Sequence, residues 1–250
     1  MKLNYILLLC VLFNTSCKKE AFEKTEATYE IISINDSIVK NDSIEAFILP
    51  YRTHLNTTLD STLAYAPETY SKKDGELNTA IGNFMADVVL SEGNPIFKAR
   101  TGKNIDGVLL NHGGIRSVIS KGNISARTAF EVMPFENSIV VAALNKTQMD
   151  ALINYLKTEQ TPHPVSNFEI QLDQSNKIKS LFINKKPLEN RVYYIATSDY
   201  LASGGDRMDF FKKADTIYNT DYKIRNALID YFNKVDTISP KIDNRFIKIN

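Results

Sequence analysis

Arg116 offers five N–H donors in a planar fork suited to an anion, and it stands two residues after the paired glycines Gly113 and Gly114, where backbone can come close to a ligand. Asn111 opens the same stretch, residues 111–137. Near its far end Phe135 presents a flat apolar face, with the amide of Asn137 two positions on. A second stretch, residues 198–208, adds Tyr200 as another ring, Gly204 and Gly205 as a tight turn, and Asp206 as a hydrogen-bond acceptor. Two rings, an arginine fork suited to phosphate and a carboxylate suited to a vicinal diol are the parts of a nucleotide site. Each also has a plainer reading taken singly. Arg116 could be an ion-paired surface arginine, the glycines a structural turn, and Phe135 and Tyr200 core aromatics. His112 has no cysteine, serine–acid or metal partner in the pattern and reads as a packing or supporting group, while Lys72-Lys73 and Lys185-Lys186 read as solvated turn charges.

These groups need elements to position them. Residues 106–110, DGVLL, read as a short apolar strand that feeds the Asn111-His112-Gly113-Gly114 turn, and residues 192–196 as a strand that delivers the chain into Tyr200 and Asp206. Residues 138–144 are a buried strand by their β-branched content. Asn145 caps a helix whose apolar set is Met149, Leu152, Ile153 and Leu156. An amphipathic helix is expected over residues 76–90, ended by Gly93 and Pro95. A tight turn or hairpin is expected at Lys121-Gly122-Asn123, and a helical turn over 128–132. Strands at 168–172 and 178–183 flank a turn, a helix runs from Ile224 to about Val235, and residues 245–249 form a closing strand. Nearer the start, a strand is expected over 31–39 and helical spacing over 43–59, kinked or divided at Pro50. Without a regular strand–helix alternation the class is α+β, mixed β-sheets with packed helices.

Composition sets the wider frame. The chain has 250 residues, 43% hydrophobic and 24% charged, enough for a real core. Residues 1–16 differ: Lys2 is their single charge and residues 5–13 are an apolar run too short to span a bilayer. Phe13-Asn14-Thr15-Ser16 before Cys17 resembles a bacterial lipoprotein signal, with Cys17 the lipid-modified residue. A simple cleaved secretory signal and a short membrane anchor remain the alternatives. The expected organisation is a signal peptide over 1–16, a tether over 17–28 and one domain over 29–250. The setting is then extracytoplasmic, periplasm or outer membrane, with the membrane reached through the lipid alone. Cys10 and Cys17 are the two cysteines, so a domain beginning near Tyr29 has neither a thiol nucleophile nor a disulfide. Without Lys2 the basic count falls from 30 to 29 and equals the 29 acidic residues, which gives no reason for binding a nucleic acid polymer or an anionic membrane through charge.

The ordered set Asn111-His112-Gly113-Gly114-Ile115-Arg116, Gly122-Asn123-Ile124-Ser125, Pro134-Phe135-Glu136-Asn137 and Tyr200 with Gly204-Gly205-Asp206 resembles the C-terminal, substrate-specificity domain of the 5'-nucleotidase family. The helix around residues 80–87 is similar too. The resemblance implies that Phe135 and Tyr200 stack on the base, Asn137 bonds its edge, Asp206 accepts from the ribose hydroxyls, and Arg116 meets the phosphate. It further implies that Lys72 and Lys73 stand where the family usually carries phosphate-binding arginines. Full-length members hydrolyse the ester at a two-metal centre in a separate metallophosphoesterase domain. Here His54, His112 and His163 are scattered and no room for that domain precedes residue 31, so the chain is expected to bind no metal itself. The expectation is a nucleoside- or nucleotide-recognition chain that serves nucleotide dephosphorylation with a separately encoded metallophosphoesterase, the partner holding the divalent ions. The alternative is a non-catalytic nucleoside- or nucleotide-binding lipoprotein.

Overall fold

The computed structural model describes residues 26–249. The expected signal segment 1–16, the lipidation candidate Cys17 and most of the 17–28 tether lie outside the described residues. The chain divides after Ile48 into two compact units. In the first, the strand expected over residues 31–39 is absent: Ile31 is 84% exposed, Ile34 is 90% exposed, and a turn held by the Asn35 side chain interrupts the stretch. A strand needs a neighbour for its N–H and C=O groups, and none pairs with this segment among the described residues. The helix α1 (Asp42–Leu59) begins where Asn41 Oδ1 accepts from the N–H of Ser43 at 3.1 Å, and it runs through Pro50 with no buried residue. The division of the chain falls inside it, two residues before that proline.

The second unit is built on a five-stranded sheet. In chain order its strands are β2 (Gly107–Leu109), β4 (Ser138–Leu144), β5 (Val165–Ser166), β9 (Tyr193–Ser198) and β10 (Thr216–Lys223), and across the sheet they run β10-β4-β9-β2-β5. Alternation along the strands splits the core in two. Val108, Ile139, Val141 and Ala196 face one apolar cluster, while Leu109, Ala142, Leu144 and Ile195 face the other. The first cluster is closed by α2 (Ala80–Thr101) and α6 (Ile224–Phe232), the second by α4 (Lys146–Glu159). α4 starts where expected: Asn145 accepts from Thr147 and Gln148 N–H, a cap worth about 1 kcal/mol.

The structure departs from the sequence expectation in several places, among them one helix, one turn and one strand. α2 begins at Ala80, where Thr79 Oγ1 accepts from Gly82 N–H, and continues past Gly93 and Pro95 to Thr101, where Gly102 at φ 72° ends it. Gly93 brings the helix against Ile139, whose Cγ2 would lie 3.4 Å from a Cβ there. Beyond Pro95, Phe97 is buried against Tyr194 and Tyr218 at 5.5 and 5.4 Å. Packing on both sides of the two breakers outweighs their local cost. The turn at Lys121-Gly122-Asn123 is not a local hairpin, since β3 (Gly122–Ser125) pairs antiparallel with β1 (Thr62–Ala66). The strand β10 was not expected, because TIYNTDYK has little apolar content. It lies at the sheet edge and is irregular around Asp221 at φ 55°.

A second sheet, ordered β11-β6-β7-β8, contains β6 (Phe168–Leu172), β7 (Ile178–Ile183), β8 (Lys186–Pro187) and β11 (Phe246–Lys248). The expected strands at 168–172 and 178–183 form it, and the closing strand adds in parallel to β6. Lys185 and Asn184 make its two-residue hairpin turn at φ 62° and 49°. The class is α+β with mixed sheets. Sheet topology then fixes where the site lies. β2 and β9 are parallel neighbours, with Val108 opposite Ala196, and β4 runs antiparallel to β9, with Ile139 opposite Ser198. The ends of β2 and β9 and the start of β4 therefore meet at one edge of the sheet.

Candidate functional site

Three loops leave or enter that edge. After β2 the chain makes a 3-10 turn over His112–Gly114, closed by Gly114 N–H to Asn111 O at 3.0 Å. A Cβ on Gly114 would stand 2.8 Å from Asn111 Oδ1, so glycine lets the asparagine side chain fold over the turn. Asn111 Nδ2 donates to Asp206 Oδ2 at 2.7 Å and joins this turn to the loop after β9. Arg116 is exposed. Its backbone N–H donates to Val132 O at 2.9 Å, while among the described residues its guanidinium donates to the Gly113 carbonyl at 3.3 Å, has no carboxylate paired to it, and lies 5.8 Å from the centre of the Phe135 ring.

The second loop connects α3 (Ala126–Val132) to β4 and carries Phe135 and Asn137. Arg225, a buried side chain on α6, donates to Pro134 O at 3.2 Å and pairs with Glu136. Lys223 pairs with the other Glu136 oxygen, and hydrogen bonds from Lys223 and Arg225 hold this carboxyl down to about 2. Ile224 N–H donates to Asn137 O at 3.0 Å. The Phe135 ring, 41% exposed, is thus presented by a fixed backbone rather than buried as a core aromatic.

The third loop follows β9. Ser198 caps the single-turn helix α5 (Asp199–Ala202), which carries Tyr200, 44% exposed. The Tyr200 hydroxyl donates to Asp206 Oδ1 at 2.9 Å, a bond that raises the phenol pKa above its ordinary value. The backbone between them turns left-handed, with Gly204 at φ 90° and Asp206 at φ 50°. Gly205 lies directly beneath the Tyr200 ring, where a Cβ would overlap it.

Asn111, Gly113, Gly114, Arg116, Phe135, Asn137, Tyr200 and Asp206 together line one cavity of about 310 Å³. Gly204 and Gly205 do not line it; they shape the turn that delivers Asp206. Two cavities of about 400 Å³ lie elsewhere, one at the ion-paired Arg245, Asp87 and Asp243, the other along α4. Neither has paired exposed rings or lies at the convergent strand ends, which makes the smaller cavity the stronger candidate.

Several contributors escaped sequence reasoning. Lys72 is not a solvated turn charge: its ammonium donates to Ile115 O at 2.9 Å and braces the loop that carries Arg116. Glu136 stands inside the quoted motif and Arg225 far from it in sequence, and neither carries a sequence signal of the ion pair that holds this loop. His163, buried, accepts at Nδ1 from His112 N–H at 3.1 Å, and Tyr155 on α4 donates to the Asp206 carbonyl at 2.9 Å. Burial, then the neighbouring His112, lowers the His163 pKa to about 4; burial also lowers that of His112.

Among the described residues no group of three or more His, Cys, Asp or Glu side chains is placed to hold a metal ion. In the cavity one carboxylate and two amides face a guanidinium and two rings, a donor set for a polar organic ligand rather than a cation.

A family model described as the 5'-nucleotidase C-terminal domain matches residues 57–213. A trifunctional nucleotide phosphoesterase of Bacillus subtilis is 23% identical, over 93% of this chain and 17% of that protein. A cell wall protein of Listeria monocytogenes is 24% identical, over 69% of this chain and 27% of that protein. Among solved structures, the 5'-nucleotidase precursor of Thermus thermophilus superposes with a TM-score of 0.67 at 21% identity, over 84% of this chain and 43% of that one. The chain therefore spans less than half the length of each of these proteins.

Proposed function

The chain belongs to the family of 5'-nucleotidase C-terminal domains, and from that premise we propose that it recognises a nucleoside or nucleoside monophosphate for a metallophosphoesterase that cleaves the phosphate. The observation that carries this reading is the convergence of two exposed rings, Phe135 and Tyr200, with Asp206, Asn137 and Arg116 on one cavity. A base placed on such rings gains about 1–3 kcal/mol by stacking, with little dependence on which base it is. Asn137 bonds the base edge, Asp206 accepts from the ribose hydroxyls, and the Arg116 fork meets the phosphate. The metals that activate water belong to the partner's site, since the cavity offers no matching ligands.

The proposed setting is extracytoplasmic, with residues 1–16 exported as a signal and Cys17 lipidated. The similarity to a cell wall protein of Listeria monocytogenes supports a place in the envelope, and among the described residues no helix is long and apolar enough to cross a membrane. Replacement Cys17→Ser is expected to move the protein from the membrane fraction to the soluble fraction; unchanged fractionation would count against the lipid.

Calorimetric titration with adenosine and AMP, run beside a phosphate-release assay with divalent metal, tests the division of labour. The expected result is saturable binding that falls at least tenfold in Phe135→Ala and in Tyr200→Ala, with no turnover until a metallophosphoesterase is added. Robust phosphate release by the purified chain would overturn it.

A further inference from the structure

Asp206 is held from two sides. Its carboxylate takes Asn111 Nδ2 and the Tyr200 hydroxyl, within the cavity. Its backbone, in the left-handed region at φ 50°, is held from behind by Tyr155, whose hydroxyl donates to the Asp206 carbonyl at 2.9 Å. A non-glycine residue in that region persists where its surroundings hold it. Tyr155 Oη in turn lies 3.4 Å from His163 Nε2. Because His163 Nδ1 accepts the His112 N–H, the ring proton sits on Nε2 and points toward the tyrosine oxygen. The hydrogen bonds thus run in one direction, from the backbone of the glycine turn through a buried imidazole and a phenol to the backbone of the acidic loop. Chains of this kind polarise one another and tolerate a missing member poorly.

We propose that Tyr155 and His163 are positioning residues that fix the Asp206 carboxylate, relative to the Gly113-Gly114 turn, in the orientation that reads the ribose hydroxyls. The inference rests on the proposed nucleoside site and adds to it two residues that do not touch the ligand's cavity. Their action is specific in kind. The Phe135 ring is placed by other contacts, and the Tyr200 ring, although its hydroxyl reaches Asp206, is carried by the helix that Ser198 caps, so a broken brace weakens ribose recognition more than base stacking. A purely structural role would weaken both alike.

The probe is the ratio of affinities for adenosine and 2',3'-dideoxyadenosine, measured on the full chain, with thermal melts confirming the fold. The wild type is expected to prefer adenosine, and Asp206→Asn to lower that preference. Tyr155→Phe keeps the ring contact with Phe210 at 5.7 Å and removes the hydroxyl. It is expected to cut the preference by about tenfold, the worth of one well-placed hydrogen bond, while dideoxyadenosine affinity stays within about twofold of wild type. His163→Leu should behave alike, and His163→Gln, which keeps both an acceptor and a donor, should recover part of the preference. An unchanged ratio in Tyr155→Phe, or equal losses for both ligands, overturns the brace. A wild type without any preference for adenosine overturns the nucleoside reading beneath it.

Discussion

Arg116 and a neighbouring lysine carry the same charge, yet the site asks for shape. A guanidinium can meet two phosphate oxygens at once, whereas an ammonium acts as a point charge. Lys72 donates to the Ile115 carbonyl and so braces the loop that carries Arg116. Arg116→Lys is therefore expected to weaken AMP about tenfold, near 1.4 kcal/mol, and to leave adenosine unchanged; titration of both ligands checks it, and an equal loss for both would remove Arg116 from the phosphate. His163 supplies a pH dependence of the fold itself. Its folded pKa of about 4 lies below the ordinary 6.5, so the unfolded chain takes up the proton first. Stability is complete above pH 6.5 and declines as pH falls toward 4, by up to about 3 kcal/mol. His112, lowered as well, acts with the same sign. Urea midpoints between pH 4 and 7 should show the decline, and His163→Gln should flatten it.

Elements place these residues, and one glycine shows how tightly. Gly205 lies in contact with the Tyr200 ring, and its φ is not one that demands glycine. Gly205→Ala should fold normally, push the ring outward and lower nucleoside affinity by about tenfold, the scale of one stacking contact. A melting temperature within a few degrees of wild type would separate this from unfolding. Local signals made much of this scaffold legible in the sequence. Asn145 before an apolar stripe announced α4, and alternating or β-branched runs announced β4, β6 and β7, each at or near its observed limits. What stayed hidden depends on distant partners. α2 passes Gly93 and Pro95 because Ile139 and the Tyr194–Tyr218 pair pack against it. β3 finds its partner in β1, and β10 exists because β4 offers an edge to a polar segment. The same holds at the cavity. The quoted motif residues lie together, while Tyr155, His163, Lys72 and Arg225 entered through tertiary contacts that no spacing encodes.

At the scale of the whole molecule, the cavity is assembled from loops far apart in sequence, joined because β2, β9 and β4 bring their ends to one sheet edge. An unfolded chain has no such cavity, so a ligand that binds it stabilises the folded state by mass action. The gain is about 2.7 kcal/mol at a ligand concentration one hundred times the dissociation constant. For a compact unit of roughly 200 residues each kcal/mol moves the midpoint by about 2–4 °C, which gives an expected rise of about 5–10 °C with saturating adenosine. Adenine, which cannot reach Asp206 through a ribose, should give a smaller rise. The cavity's ligands are ring faces, amides, a carboxylate and a guanidinium, with no metal cluster among the described residues. The shift should therefore be the same with magnesium, with manganese and with excess chelator. Scanning fluorimetry under the three conditions checks this. A shift abolished by the chelator would place a cation between protein and nucleoside, and would return the metal chemistry to this chain.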